Sequence, residues 1–281
     1  MKVMEAFQVL AQLGDNPEFL EKELKRHDPL YEELLQKAGI RPGSRVLELG
    51  CGTGAVSIKL ARRMGPEGRV LSIDVNNRML VTANKKKEKM GLRNLEFENM
   101  NMEELDLPEG AFDFVISSFG VCCCFSYDRT LREAYRVLTS GGRLTFNQDG
   151  PNGMDKGQLI EGVVGKYEPG NPSRRLKEKR QANLVHERLT RRYQDPFKVL
   201  ALMRKVGFRN AESSIKYFGM VFRTVDEYLD YYFFDSLTYA ELTKERQLEW
   251  RKECSAILES ATTAGGVLNV DEEVAYFFGQ K

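Results

Sequence analysis

Short apolar runs alternate with amphipathic stretches between residues 45 and 146, and this alternation sets the expected fold. The run at 45–49 ends at a glycine-rich turn, and a helix-like stretch from Ala55 to Met64 follows at once. A second unit repeats the order, with a strand-like run at 70–73 and a helix-like stretch from Asn76 to Met90. Strands that alternate with helices in this way are typical of a parallel sheet. We therefore expect an α/β fold whose ligands bind at the carboxyl ends of the strands.

The segments on either side of this region follow other patterns. Residues 1–38 carry leucines at helical spacing and are predicted to be helical. Beyond residue 154 comes a long stretch with little strand character, which ends near residue 194. A helix at 195–206, a strand at 210–222, a helical stretch at 225–264 and a final strand at 270–281 are predicted to follow.

Composition and charge narrow the class of protein. The 281 residues are 42% hydrophobic and 30% charged, which suits a globular protein. The net charge of +1 gives no global field that would attract nucleic acid. No apolar run reaches the length of about 18 residues that a membrane span needs. Because Glu5, Gln8 and Gln12 interrupt the first apolar stretch, it favours an amphipathic helix over a signal peptide, and we expect a cytoplasmic protein.

The cysteines and histidines do not predict a metal site. Cys122, Cys123 and Cys124 are consecutive, and no pair of cysteines has the C-x₂-C spacing of a zinc site. The two histidines, His27 and His186, are far apart in the sequence. Since a free cysteine behaves as a small hydrophobe, packing is the favoured interpretation of the three cysteines, ahead of catalysis.

The strongest signal for chemistry is the segment Glu48-Leu49-Gly50-Cys51-Gly52-Thr53-Gly54. Its alternate glycines let the backbone bend tightly and let a ligand approach without a Cβ clash. The helix that begins at Ala55 offers unpaired N–H groups to an anion. Asp74 ends the next strand-like run, where an acid can hold ribose hydroxyls. The segment therefore predicts a site for an anionic or adenosyl-type small molecule.

The glycine spacing alone leaves two ligands open. Gly50, Gly52 and Ala55 also fit G-x-G-x-x-A, a form of the dinucleotide fingerprint. The carboxylate of Glu48 would repel a pyrophosphate and would favour a ligand that carries an ammonium or a sulfonium. This position therefore argues against NAD.

The downstream segments occur in the order of one enzyme family. The segments that carry the likeness are Glu48–Gly54, Ser72–Leu80, Asn101–Leu105, Phe112–Phe119, and Leu131–Leu138 with Gly141–Leu144. With them the chain resembles the class I S-adenosylmethionine-dependent methyltransferases, and among these the small-molecule enzymes of the ubiquinone/menaquinone-biosynthesis type. The resemblance implies a doubly wound, mostly parallel, seven-stranded Rossmann-like sheet with helical lid insertions and an antiparallel final strand.

The same resemblance suggests how the chain is divided. We expect a single methyltransferase domain over residues 1–281. Its parts are an N-terminal helical arm (1–38), a cofactor-binding core (40–150), lid and acceptor insertions (151–194 and 225–264), and two segments that complete the sheet (195–222 and 270–281).

The resemblance also implies which residues hold S-adenosyl-L-methionine. Gly50, Gly52 and Gly54 would cradle its methionine part, and Glu48 would influence its ammonium. Asp74 would accept the ribose hydroxyls, with a helix cap as the alternative. The family usually has Asp where this chain has Asn101, so an amide would meet the adenine. The full predicted set is Glu48, Gly50, Cys51, Gly52, Thr53, Gly54, Asp74, Val75, Met79, Asn101, Met102, Glu103, Ser117 and Ser118.

The acceptor side is less well defined. Methyl transfer depends mainly on positioning, so a fixed catalytic triad is not required. His186 and Tyr127 are candidate bases, although an exposed structural histidine is the favoured interpretation of His186. Six tyrosines are candidate pocket residues by their expected location: Tyr31, Tyr127, Tyr167, Tyr217, Tyr231 and Tyr232. The aromatic run Tyr228, Tyr231, Tyr232, Phe233 and Phe234 either lines an acceptor pocket or packs the lid against the core.

The favoured function is transfer of a methyl group to a small organic acceptor at oxygen, carbon or nitrogen. The eight basic residues in 174–192 keep open an RNA- or nucleotide-modifying methyltransferase, although a solvated helix face is the favoured interpretation. A cofactor-binding partner subunit without catalysis is a further alternative.

Overall fold

In the computed structural model, which describes residues 1–13, 16–233 and 236–281, seven strands form one sheet. They are β1 (Arg45–Leu49), β2 (Arg69–Asp74), β3 (Leu95–Asn99), β4 (Phe112–Ser118), β5 (Leu138–Met154), β6 (Arg209–Phe222) and β7 (Leu268–Gln280). Their order is β3-β2-β1-β4-β5-β7-β6. Strands β1 to β5 are parallel, whereas β7 is antiparallel to both β5 and β6. The predicted α/β fold, a mostly parallel seven-stranded sheet with an antiparallel final strand, is confirmed.

Helices flank and connect these strands. They are α1 (Val3–Leu13), α2 (Pro17–Ala38), α3 (Ala55–Met64), α4 (Asn77–Lys89), α5 (Tyr127–Val137), α6 (Asp155–Val164), α7 (Arg174–Thr190), α8 (Pro196–Val206), α9 (Val225–Phe233), α10 (Leu237–Ala240) and α11 (Lys244–Leu258). The predicted arm thus consists of α1 and α2, with Gly14 and Asp15 outside the described residues. Among the described helices, none combines the length and the apolar character needed to cross a membrane.

The side chains of β1 show how the sheet is covered on both faces. Val46 packs in a cluster with Leu34 of α2 on one face. Leu47 belongs to the opposite cluster, with Leu131 of α5 and Met203 of α8. Because neighbouring strand residues point to opposite faces, a strand between two helical layers is apolar at nearly every position. This explains why Val46, Leu47 and Leu49 are all apolar although they face different sides of the sheet.

The insertion that contains α9 and α11 has an apolar cluster of its own. Trp250 and Tyr228 are fully buried there together with Phe222 at the end of β6. The ring of Phe233 lies 4.7 Å from that of Trp250. Phe234, which belongs to the same predicted aromatic run, lies outside the described residues.

Arg26 fastens α2 to this insertion. Its guanidinium donates a hydrogen bond to the Val221 carbonyl at 2.7 Å and lies 4.2 Å from the centre of the Phe222 ring. It also pairs with Glu23 of its own helix and with Glu227 of α9. One side chain therefore joins α2 to β6 and α9.

The first helix, α1, is held through a smaller apolar cluster. Ala6 packs with Ala182 of α7 and with Phe125. The ring of Phe7 lies 5.8 Å from that of Phe125 in an edge-on arrangement. The contact between α1 and the rest of the molecule is therefore made mainly by small and aromatic side chains.

Candidate active site

A cavity of about 610 Å³ lies at the carboxyl ends of β1, β2 and β4, beneath side chains of α1 and α2. Its volume is within the range of ordinary ligand pockets. Most of the residues predicted for the cofactor line it: Glu48, Gly50, Cys51, Gly52, Thr53, Asp74, Val75, Met79, Asn101, Met102, Glu103 and Ser118. Gly54 and Ser117 do not line it.

The glycine loop passes very close to the end of β4. Gly50 has a φ of +68°, and a Cβ atom built there would lie 2.8 Å from the Cα atom of Gly120. A Cβ atom at Gly120 would lie 2.5 Å from the carbonyl oxygen of Leu49. Glycine is therefore required at both positions for the two segments to meet.

Gly54 and Ser117 support this loop from outside the cavity. A Cβ atom at Gly54 would lie 2.8 Å from the Phe97 ring, so this glycine lets α3 begin against β3. The Ser117 hydroxyl donates to the Leu49 carbonyl at 2.7 Å and accepts from the Val121 amide at 3.2 Å. These contacts tie β1 to β4 beneath the loop.

Glu48 presents a buried carboxylate at the cavity wall, with 1% of its surface exposed. Its Oε2 atom accepts hydrogen bonds from the hydroxyls of Ser57 and Ser72. Burial raises the pKa of Glu48 to about 7, with repulsion by Asp74 adding to the shift and the two hydroxyls opposing it. A cationic group bound beside Glu48 would favour the ionised form of this carboxylate.

Asp74 links the glycine loop to the next helix. Its Oδ2 atom accepts from the Gly52 amide at 2.9 Å, and its Oδ1 atom accepts from the Asn76 amide at 2.8 Å. Each carboxylate oxygen can accept a further hydrogen bond from a ligand hydroxyl. The side chain that caps α4 is Asn76, which accepts from the Arg78 amide at 3.0 Å, so the capping alternative for Asp74 is wrong.

Residues after β3 contact the segment that precedes α5. The Oδ1 atom of Asn101 accepts from the Glu103 amide at 2.9 Å. The Oε1 atom of Glu103 accepts from the amides of Phe125 at 2.6 Å and Ser126 at 3.2 Å. Glu103 therefore fixes the segment before α5 through its backbone.

The end of β4 has an unusual backbone conformation. Phe119 has a φ of +52°, which is uncommon for a bulky residue. Its amide donates to Oδ1 of Asn147 at 3.0 Å, and its carbonyl accepts from the thiols of Cys122 and Cys123. The Ser118 hydroxyl is buried without a hydrogen-bond partner among the described residues. Strain of this kind is concentrated at functional sites, and the sequence alone did not indicate it.

The two candidate bases lie in different places. His186 lines the cavity and is half-buried, so the expectation of an exposed histidine is wrong. Its Nε2 atom lies 3.1 Å from the carbonyl oxygen of Cys124, which can only accept, so the ring donates through Nε2. Burial lowers the pKa of His186. Tyr127 does not line the cavity, because its hydroxyl donates to Gln148 and its ring stacks on Tyr193.

The far end of the cavity contains polar residues that sequence reasoning did not select, namely His27, Asp149 and Glu272, beside Tyr31 and Tyr231. Glu272 is 6% exposed, and burial together with repulsion by Asp149 raises its pKa to about 7. Burial lowers the pKa of His27 to about 4, so this ring is neutral. The available signal was an acidic residue within an apolar strand, where an unpaired charge is costly.

The basic residues of 174–192 point to different surroundings. Lys179 lines the cavity. Arg180 pairs with Glu168 at 2.6 Å, whereas the side chain of Arg174 is 91% exposed. The segment is thus divided between the cavity, an ion pair and solvent.

Two of the three consecutive cysteines reach the cavity. Cys123 and Cys124 line it, whereas Cys122 does not. Burial raises the pKa of Cys124, and a thiol with a raised pKa is a poor nucleophile at neutral pH. Within the described ranges, no group of three or more His, Cys, Asp and Glu side chains is placed to hold a metal ion.

Solved structures resemble the fold over most of its length. The YcgJ protein from Bacillus subtilis superposes with a TM-score of 0.57 and 15% sequence identity, covering 91% of this chain and 99% of that protein. At this level of identity the likeness concerns the fold alone.

Sequence comparisons identify the family. A demethylmenaquinone methyltransferase from Listeria welshimeri is 37% identical over 120 residues, which is 43% of this chain and 51% of that protein. A ubiquinone/menaquinone biosynthesis C-methyltransferase UbiE from Vibrio vulnificus is 41% identical over 108 residues, or 38% of this chain and 42% of that protein. The chain thus spans about half the length of the curated relatives it matches. The model of the ubiE/COQ5 methyltransferase family matches residues 2–148, more than half of the chain, and the chain belongs to this family of S-adenosylmethionine-dependent methyltransferases.

Proposed function

We propose that the chain transfers the methyl group of S-adenosylmethionine to a small organic acceptor. The observation that carries this proposal is that one cavity joins the glycine loop and Glu48 to a second set of polar side chains contributed by residues 149–272. A cofactor at the loop and an acceptor at the far end would share this cavity. The family match covers the loop end.

The residues at the loop end suit the proposed cofactor. The buried carboxylate of Glu48 suits its ammonium group, and the carboxylate of Asp74, a hydrogen-bond acceptor in the cavity wall, suits its ribose hydroxyls. Met79 and Met102 provide apolar surface for the adenine, beside the side-chain amide of Asn101. When bound, the cofactor supplies a methyl group on a positively charged sulfur.

The contribution of the chain is to align the acceptor and exclude water. Holding two reactants in line can lower a barrier by about 7–11 kcal/mol in favourable cases. The side chains of Phe7, Leu10 and Phe19 cover the cavity and keep it largely apolar on that side. An apolar site also suits a reaction in which charge is dispersed.

A small acceptor agrees better with the lining of the cavity than an RNA does. Lys179 is the one lysine or arginine of the described residues 174–192 that lines it, whereas Arg174 and Arg180 make ion pairs and the other five lysines and arginines are exposed. An acceptor bound in the cavity would therefore not meet the many cations that recognition of RNA depends on.

The test is calorimetric titration with S-adenosylhomocysteine and, separately, with NAD. We expect the native chain to bind S-adenosylhomocysteine and not NAD, and Asp74→Asn to weaken the binding about tenfold, a loss of about 1.4 kcal/mol. Asp113→Asn is a matched control, because Asp113 bonds to Arg45 at the start of β1, away from the cavity. Binding of NAD alone would overturn the proposal. Binding of S-adenosylhomocysteine without methyl transfer to any acceptor would instead favour a cofactor-binding subunit.

A further inference from the structure

Two carboxylates at the far end of the cavity are not among the residues predicted to hold the cofactor. Asp149 follows the buried part of β5, and Glu272 lies on the antiparallel neighbour β7. Both line the cavity. Glu272 is 94% buried, and its Oε2 atom has no hydrogen-bond partner among the described residues. A buried carboxylate without a partner is unfavourable, which indicates that a ligand supplies the missing partner.

The electrostatic interactions at the far end also indicate that a positive charge is missing there. The carboxylates of Asp149 and Glu272 repel each other, and together with burial this repulsion raises the pKa of Glu272 to about 7. Asp149 is exposed by its surface area, yet the partial loss of solvent around its carboxylate raises its pKa. The neighbouring ring of His27 is neutral because its pKa is lowered to about 4. The far end therefore holds acidic groups beside a neutral histidine.

Aromatic rings surround the same region. The rings of His27 and Tyr31 lie 6.3 Å apart, and those of His27 and Tyr231 lie 6.4 Å apart. The ring of Phe19 lies 5.4 Å from that of Tyr231. Aromatic faces attract cations, and aromatic residues next to carboxylates are the usual surroundings of a bound ammonium group.

The charged residues that line the whole cavity also favour a cationic ligand. Its lining contains five acidic residues, Glu48, Asp74, Glu103, Asp149 and Glu272. Among the described lining residues, Lys179 is the one lysine, and no arginine is present. An anionic acceptor would be repelled by this surface, whereas a cationic acceptor would be attracted to it.

We infer that the acceptor is a small amine, which Asp149, Glu272 and the rings of Tyr31 and Tyr231 bind as its ammonium cation. This inference rests on the proposed methyltransferase function. Before transfer, the ammonium gives one proton to the carboxylate of Glu272, which leaves a neutral amine and a carboxylic acid. The nitrogen lone pair then forms the N–CH₃ bond while the S–CH₃ bond breaks and its electron pair goes to sulfur. The products are a methylated ammonium and S-adenosylhomocysteine.

The first test compares amines with neutral molecules of the same shape. The protein is saturated with S-adenosylhomocysteine and titrated with propylamine, benzylamine and 2-phenylethylamine, and with propanol, benzyl alcohol and 2-phenylethanol. We expect at least one amine to bind tenfold or more tightly than its alcohol. If no amine exceeds its alcohol, the inference is overturned. If S-adenosylhomocysteine itself does not bind, the proposed methyltransferase function fails instead.

The second test uses variants that keep the shape of the side chains. In Glu272→Gln and Asp149→Asn we expect the affinity for the preferred amine to fall at least tenfold, with the affinity for its alcohol unchanged. Binding of S-adenosylhomocysteine shows that each variant is folded. Glu212→Gln is the control, because Glu212 lies exposed on β6 and outside the cavity. An equal loss for the amine and the alcohol would assign the two carboxylates a structural role and overturn the inference.

Discussion

The carboxylates at the two ends of the cavity differ in their hydrogen-bond partners. At the loop end, Glu48 accepts from two serine hydroxyls, and Asp74 accepts from the amides of Gly52 and Asn76. At the far end, Glu272 keeps an oxygen atom without a hydrogen-bond partner in the part of the chain that the structure describes. The two carboxylates of the loop end are therefore held by hydrogen bonds within the protein, whereas the far end has a carboxylate oxygen that a ligand could satisfy.

The difference coincides with the extent of the family match. Residues 2–148 match the family model and include the whole glycine loop, Asp74 and Asn101. The residues from Asp149 to Glu272 that reach the cavity lie beyond that match. The matched part thus builds the cofactor end, whereas the far end combines His27 and Tyr31 from the matched part with Asp149, Tyr231 and Glu272 from beyond it.

A substitution at Gly50 should disrupt the loop end, and we expect it to have the largest effect of the predicted variants. Gly50→Ala places a Cβ atom 2.8 Å from the backbone of Gly120 at a left-handed φ. We expect the free energy of unfolding to fall by about 4 kcal/mol, from backbone strain and overpacking together, with loss of S-adenosylhomocysteine binding. Urea unfolding and calorimetry measure the two effects.

Gly43→Ala is the matched control for that variant. Gly43 also has a left-handed φ, of +78°, but no atom lies within 4 Å of the Cβ position. We expect only the backbone part of the loss, about 1–2 kcal/mol, with binding retained. Equal losses in the two variants would contradict the close approach of Gly50 to Gly120.

Glu272→Gln should remove a pH dependence of stability that arises at the far end. The pKa of Glu272 rises from its ordinary value of 4.5 to about 7 on folding. Without ligand, the contribution of Glu272 to the free energy of unfolding is therefore most favourable below pH 4.5. This contribution is lost as the pH rises through 7. The loss is on the order of 3 kcal/mol. Urea unfolding at pH 4 and pH 8 measures this difference. The free energy of unfolding of Glu272→Gln should exceed that of the native chain only at pH 8. If the free energies of the two chains changed equally with pH, the burial of an unpaired carboxylate would be contradicted.

Glu48→Gln should give a smaller effect, on binding at the loop end. Because the pKa of Glu48 is raised to about 7, the affinity for S-adenosylhomocysteine should increase as the pH rises from 6 to 8 and Glu48 ionises. The variant should bind about tenfold more weakly at pH 8, a loss of about 1.4 kcal/mol, and should lose this pH dependence. Calorimetry at both pH values makes the measurement. A pH dependence that persists in Glu48→Gln but disappears in Glu272→Gln would assign it to the far end.

The sequence predicted the features that depend on near neighbours. The strand–turn–helix at 45–64 and the helix that follows Asn76 are local patterns, and both form as expected. The glycine spacing predicted a tight turn and the approach of a ligand, but it did not predict that the backbone of Gly120 lies against Gly50. Local periodicity and turn chemistry carry this information because they act within a few residues.

The features that the sequence did not predict depend on distant pairings. Asp149 and Glu272 meet because β5 pairs with β7, more than 100 residues later in the chain. The positive φ of Phe119 depends on Asn147, which belongs to another strand. No local sequence pattern encodes contacts between residues so far apart in the chain. The residues at the far end of the cavity could therefore be identified only from the order of the strands in the sheet.

The unequal attachment of the two N-terminal helices has a consequence for the exchange of ligands. Arg26 joins α2 to three partners in β6 and α9, whereas α1 is held mainly by Ala6 and Phe7 against α7 and Phe125. Fewer buried contacts mean a lower free energy of local opening. We therefore expect the cover of the cavity to open along α1 more easily than along α2, which carries Phe19, His27 and Tyr31 of the cavity wall.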